Sequence, residues 1–277
     1  MPELPEVETV KRGLNQLVKG ATIQKVDVLY AKMIQNVTAT DFKRRLRERK
    51  IIRIDRRGKY LLFRLSHQLT LVSHLRMEGK YMVHRTGDPI DKHDYVIFHL
   101  TDGRELRYND TRKFGRMWLI KNGEEKTVSG LGTLGPEPTA SDLTFAYLKK
   151  IMNKSRGQIK PFLLNQSHIA GLGNIYTDEV LWMSKIHPKQ KTNLISDAKI
   201  KRLRYNIIYE IQAAIKGHGT TVFTYRNAFG RSGSFQNHLH VYHREGKPCD
   251  RCGTPIKKIK VAQRGTHFCP HCQRIVK

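Results

Sequence analysis

Hydrophobic positions change period several times along the chain. Pro5 suits the first turn of a helix, where its missing N–H is no loss, and Val7, Val10, Leu14 and Leu17 then share one face before Gly20 ends it. From residue 22 to 121 the pattern shortens to strand-like runs: "IQKVDVLY" alternates, "KYLLFRLS" and "TLVSHL" are short apolar runs, and "DYVIFHLTDGRELRY" predicts a hairpin turning at Asp102-Gly103. One helix, over 40–49 and opened by Thr40, interrupts them. This half predicts two packed antiparallel sheets. Residues 122–140 are rich in Gly and Pro, lack periodicity and read as an interdomain linker. Helical spacing follows over 141–153, 158–166, 174–184 and 196–216, and the glycine-rich stretch 217–237 predicts a long mobile loop. The fold class is therefore α+β and multidomain: a sandwich domain over 1–121, the linker, a helical domain with its loop over 141–237, and a cysteine-bearing module over 238–277.

Charge narrows the partners. Lys and Arg number 51 against 24 acids, a formal net charge of +27. Such an excess points to a polyanion, nucleic acid first and an anionic membrane surface second. No apolar run approaches the ~20 residues of a membrane span, and the acidic N-terminus is unlike a secretory signal. All four cysteines fall within 249–277, with a spacing that fits a metal site in a reducing cytoplasm better than disulfides.

Two constellations carry chemistry on their own spacing. Cys249-x2-Cys252 and Cys269-x2-Cys272, sixteen residues apart, suit two thiolate pairs closing one tetrahedral zinc site around a β-hairpin. Four thiolates fill the shell, so the ion is structural. Residues 244–277 hold nine Lys and Arg against two acids, which suits contact with nucleic acid, or else a solvated basic loop. Asn174 stands just before an apolar periodic run and after Gly171 and Gly173. It predicts an N-cap at a helix start whose free N–H groups can take a DNA phosphate, or an ordinary capped helix.

Several further segments, in order, make the chain resemble one family. These are "MPELPEVET", "RRGKYL", "SHLRMEGKY", "KHDYV", "DTRKFG", "LGPEP", "AGLGNIYTDEVL", "GTTVFTY" and "AQRGTHFC" within the cysteine module. They span nearly the whole chain and resemble the bacterial formamidopyrimidine-DNA glycosylases, which excise oxidised purines. The related endonuclease VIII-type enzymes, which prefer oxidised pyrimidines, usually carry glycine where this chain has Leu4. A non-enzymatic zinc-finger DNA binder would account for the charge, the finger and Asn174, but not for the Pro2-Glu3 start. The resemblance implies an N-terminal β-sandwich, a helix-two-turn-helix domain and a zinc finger. It also implies a bifunctional glycosylase and abasic-site lyase acting as a monomer on duplex DNA in the bacterial cytoplasm, at the nucleoid.

The same resemblance assigns roles. Pro2, freed by removal of Met1, becomes the nucleophile; an α-amine has a pKa near ~8 and is partly unprotonated at neutral pH. Glu3 is the adjacent acid and Glu6 orders the site. Lys59 contacts phosphate and serves β-elimination, and Arg264 supports δ-elimination by charge. Met77, Arg112 and Phe114 match residues that fill the gap left by an extruded nucleotide, with core packing as the alternative for Met77 and Phe114. His93 matches a DNA-binding position, His74 and Lys160 are phosphate neighbours, and the 217–237 loop covers the extruded base.

Overall fold

The computed structural model describes residues 1–220 and 235–276. They form two compact units. Unit 1 comprises residues 1–132 with 217–234, and unit 2 comprises 133–216 with 235–277. The base-covering role expected of 217–237 rests largely on 221–234, which lie outside the described residues.

Unit 1 begins with helix α1 (Leu4–Val18), with Glu3 as its N-cap and Pro5 in the first turn. Val7, Val10, Leu14 and Val18 are buried along its inner face. Asn15 stitches the helix to the sheet: its amide donates to the Ile54 carbonyl at 2.7 Å and its oxygen accepts from Ile54 N–H at 2.9 Å. Eight strands follow: β1 (Thr22–Val28), β2 (Arg49–Arg57), β3 (Tyr60–Leu65), β4 (Leu69–His74), β5 (Lys80–Arg85), β6 (Asp94–Leu100), β7 (Arg104–Asn109) and β8 (Arg116–Lys121). Their order is β5-β7-β6-β1-β2-β3-β4-β8, all antiparallel. β1 and β2 pair only at Thr22–Lys50 and Ile23–Arg49, so the sheet is hinged there into two four-stranded halves. Their inner faces share one core, in which Phe63 of β3 meets Tyr81 of β5 with ring centroids 5.3 Å apart. This is the expected sandwich.

Helix α2 (Ala39–Leu46) is capped by Thr38, not Thr40. Thr38 wins because Asp41 completes its cap: the Thr38 hydroxyl accepts from Asp41 N–H at 3.1 Å and donates to Asp41 Oδ2 at 3.0 Å. The Gly- and Pro-rich stretch is shared between the units. Val128 and Leu131 are buried in the part belonging to unit 1, where the Tyr60 hydroxyl donates to the Ser129 carbonyl. Gly135 and Ala170 bond to Gln166 and Pro136 in unit 2.

Unit 2 packs α3 (Phe145–Asn153), α4 (Ile159–Leu164), α5 (Asn174–Met183) and α6 (Asp197–Lys216), then closes with the hairpin β9 (Lys257–Val261) and β10 (Arg264–Phe268). α4 and α5, joined by tight turns, are the helix-two-turn-helix pair. Among the described residues no helix is long and apolar enough to cross a membrane.

Candidate active site and nucleic-acid interface

In unit 1 the chemistry gathers at the start of α1. Pro2 is buried, and Glu3 and Glu6 are 2% and 3% exposed. The two acids form a reciprocal capping box. The Glu3 carboxylate accepts from Glu6 N–H, and Glu6 Oε2 accepts from Glu3 N–H at 2.9 Å. The other Glu6 oxygen accepts from Thr220 N–H at 2.7 Å. Gly219, at φ +75°, makes that approach possible: a Cβ there would sit 2.7 Å from Glu6 Oε1. Glu6 therefore ties the Pro2–Glu3 end of the chain to the segment that leads into the glycine-rich loop, a contact invisible from sequence spacing. Two residues further on, Glu8 is claimed by Lys11, Arg12 and Arg56 at 2.8–3.0 Å.

Lys59 and His74 stand where β3 begins and β4 ends, at 5% and 7% exposure. Tyr60 pairs with His74 in the sheet register and packs edge-on against its ring. Burial, helped by the charges of Arg76 and Lys59, pushes the His74 imidazole down to about 3. The ring is thus neutral, and its Nδ1 accepts from Arg76 N–H at 2.9 Å. The proton must then reside on Nε2, leaving a neutral donor beside two cations.

The residues expected to enter DNA lie on two turns that the strand register sets side by side. His74 pairs with Arg116 at one end, and Lys80 with Asn109 at the other. The first turn, 75–79, holds Met77 and closes with Gly79 N–H on the Leu75 carbonyl at 3.0 Å. The second, 110–115, holds Arg112 and Phe114 and is organised by fully buried Asp110. Asp110 accepts from Arg112 N–H at 3.0 Å and from Gly115 N–H at 2.8 Å. Phe114 is 45% exposed, which removes core packing as its explanation, and Arg112 lies over its ring at 4.8 Å. Met77 is half-buried. His93 joins the same neighbourhood, since its carbonyl accepts from Asp110 N–H at 3.0 Å.

In unit 2 the hairpin tip carries Arg264, exposed, on the far side of a two-residue turn. The following carbonyl, Gly265, accepts from Lys160 Nζ and from Asn174 Nδ2, both at 3.0 Å. Asn174 is therefore not the N-cap. Gly173 occupies that position in extended geometry, and Asn174 is the first helical residue, its amide committed to the hairpin. Lys160, expected beside a phosphate, is 0% exposed and pairs with equally buried Asp178 at 2.6 Å. It supports the hairpin from behind. Asp178 also accepts from His267 N–H at 2.9 Å, and its neighbour Glu179 accepts from the N–H groups of His240, Val241 and Tyr242 at 2.8–2.9 Å. Sequence reading missed both acids.

The four cysteine sulfurs lie within 4.8 Å of one another, with Cys252 3.5 Å from both Cys269 and Cys272. A disulfide needs ~2.05 Å, whereas zinc with sulfurs at ~2.3 Å in a tetrahedron holds them about 3.8 Å apart. The donor set fits one structural zinc ion with no open position. Trp182 Nε1 donates to Cys249 Sγ at 3.4 Å, tying the site to α5.

Known protein families match the chain along most of its length. Three family models match in succession: the formamidopyrimidine-DNA glycosylase N-terminal domain over residues 1–117, the formamidopyrimidine-DNA glycosylase H2TH domain over 134–225, and the zinc finger found in FPG and IleRS over 246–275. The chain is 63% identical to formamidopyrimidine-DNA glycosylase of Lactiplantibacillus plantarum, covering 99% of this chain and 100% of that one. Its identity to the Pediococcus pentosaceus protein of the same name is 61%, covering 99% of each. A solved Lactococcus lactis Fpg in complex with abasic-site DNA superposes with a TM-score of 0.93 at 44% identity, covering 98% of this chain and 99% of that one. The same holds for a complex of the wild-type Lactococcus lactis protein with DNA containing N7-benzyl-Fapy-dG, at a TM-score of 0.93, 44% identity, and 99% and 100% coverage. With the capping-box start, the paired turns and the four-cysteine finger all in place, the chain belongs to the formamidopyrimidine-DNA glycosylase family.

Proposed function

We propose that Pro2 is the nucleophile with which this glycosylase removes oxidised purines, 8-oxoguanine and formamidopyrimidines, from duplex DNA. Once Met1 is removed, the secondary amine attacks the sugar C1′ and the C1′–base bond breaks. Glu3 supplies a proton to the ring oxygen or the departing base. The nitrogen then loses its proton and its lone pair forms an iminium to C1′ as the C1′–O4′ bond breaks and the ring oxygen takes a proton; the iminium acidifies the C2′ hydrogen. Loss of that proton expels the 3′ phosphate by β-elimination, and a second loss expels the 5′ phosphate by δ-elimination. Lys59 holds phosphate and returns protons in the first elimination. Arg264, too basic to give up its proton, stabilises the departing phosphate's charge in the second. Glu6 acts by holding the Glu3 backbone and Thr220. Neutral His74 donates to a phosphate without adding charge. Met77, Arg112 and Phe114 fill the vacated stack, with His93 and the Asn174–Lys160–Gly265 cluster keeping the backbone in register. The enzyme works as a monomer in the cytoplasm, at the nucleoid.

The observation that carries this reading is a buried Pro2 beside a Glu3 locked into a capping box with Glu6. Borohydride reduction during reaction with a duplex holding 8-oxoguanine opposite cytosine should weld the protein to DNA, with mass spectrometry placing the sugar on Pro2. Retention of Met1 should abolish the adduct yet spare binding, because an amide nitrogen does not attack. An adduct on another side chain, or none, defeats the assignment.

A further inference from the structure

Tyr108, on β7, is completely buried, yet its hydroxyl has no hydrogen-bond partner. Its neighbour Tyr81 is buried too, but donates to Ser73 Oγ at 2.8 Å. The core can therefore satisfy a phenol, and at 108 it does not. Phenylalanine would fill the same ring space against Tyr81, centroids 5.0 Å apart, without burying an unpaired polar atom.

What the oxygen touches explains its presence. A Cβ built on Gly115 would fall 1.8 Å from it, and one on Gly79 would fall 2.1 Å away. Each glycine thus turns a Cα hydrogen onto the oxygen, a weak contact. Neither glycine adopts positive φ. The missing side chain of Gly115 answers to this close approach, and that of Gly79 to it together with the Leu75 carbonyl, 2.6 Å from a Cβ there; backbone conformation demands neither. Gly79 closes the turn carrying Met77, and Gly115 closes the turn carrying Arg112 and Phe114. One oxygen is the common seat of both turns.

We propose that Tyr108 is a positioning residue for base insertion, its hydroxyl setting the spacing between the Met77 turn and the Arg112–Phe114 turn. The proposal rests on the insertion roles given above to Met77, Arg112 and Phe114. The unpaired hydroxyl is retained at a cost in stability because removing it lets the turns settle toward each other.

The test compares Tyr108→Phe with Phe114→Ala and the parent enzyme. Four readouts serve: single-turnover excision of 8-oxoguanine, cleavage of a preformed abasic site, fluorescence of 2-aminopurine beside the lesion as a report of insertion, and thermal melting. Tyr108→Phe should slow excision and the fluorescence change roughly 10-fold, since sub-ångström misplacement is costly to catalysis. It should leave abasic-site cleavage within about twofold and melt at or above the parent temperature. A merely structural role predicts the opposite: a lower melting temperature and equal losses on both substrates, which would overturn the proposal. Parent-like insertion in Tyr108→Phe beside lost insertion in Phe114→Ala overturns the proposal alone. An unchanged fluorescence trace in Phe114→Ala overturns the insertion roles and the proposal with them.

Discussion

The two units hold their functional residues by different means. In unit 1 most ties are short in sequence, Glu3 to Glu6 and Asp110 to Arg112 and Gly115, with Glu6 to Thr220 across 214 positions the exception. In unit 2 they are long. Asp178 reaches His267 across 89 positions, Asn174 reaches Gly265 across 91, and Lys160 reaches it across 105, with a metal site behind them. Local ties form with the element that carries them. Remote ties exist only once the unit has assembled, so unit 2 should lose its site cooperatively and unit 1 piecemeal.

The largest effect should come from the metal. Structural zinc contributes ~10–16 kcal/mol of binding energy in finger peptides. Chelation, or Cys252→Ser, should therefore unfold the β9–β10 hairpin and weaken damaged-DNA binding by anisotropy on the order of 100-fold, the converted value of about 2.7 kcal/mol. Circular dichroism should show the strands of unit 1 unaffected; joint melting of the two units would break the contrast. Next come the buried aspartates. Asp178→Asn strands the Lys160 charge and should destabilise unit 2 by about 3–5 kcal/mol. Asp110→Asn weakens two backbone contacts and should cost about 1–3 kcal/mol. Urea melts that rank them the other way would mean that sequence distance is not what separates the units.

The remaining effect is a matter of pH and has opposite signs in the two units. Burial opposes ionisation of Glu8 in unit 1, but Lys11 and Arg56 overcome it and hold its pKa below 4.5. A depressed carboxylate stabilises above its unfolded pKa, and that contribution is lost as pH falls through the folded value. In unit 2, burial and the charge of Glu179 raise Glu210 to about 8. There the folded state keeps a proton that the unfolded chain releases. The contribution is complete below about pH 4.5 and is lost as pH rises toward 8. Melting of unit 2 should decline between pH 5 and 8, and Glu210→Gln should flatten that decline. A parallel slope in the variant would show that Glu210 is not its source.

Legibility follows sequence distance and not the boundary between the units. The α1 start, the hairpin at Asp102-Gly103 and the paired CxxC motifs could be read because each depends on neighbours a few positions away. The cap of α2 went to Thr38 over Thr40 for an equally local reason, the Asp41 carboxylate three positions on. Asp178 and Glu179 could not be read. As an acidic pair inside a helix they look like a solvated face, and apart from Lys160, 18 positions before Asp178, their partners lie 61 or more positions distant. Asn174 stands one residue inside the helix and not at its cap for the same cause, because its amide answers to the hairpin. Tyr108 reads as core, and only Gly79 and Gly115 crowding its oxygen reveal more.

The tip of that hairpin has a mechanical side. Ala262 and Gln263 both sit in the left-handed region, at φ +46° and +62°, with neither glycine nor asparagine to ease the bend. L-residues resist this conformation by roughly 1–2 kcal/mol each. Both values suit a two-residue type I′ turn, whose twist matches that of the strands it joins, so pairing of β9 with β10 sets the bend that presents Arg264.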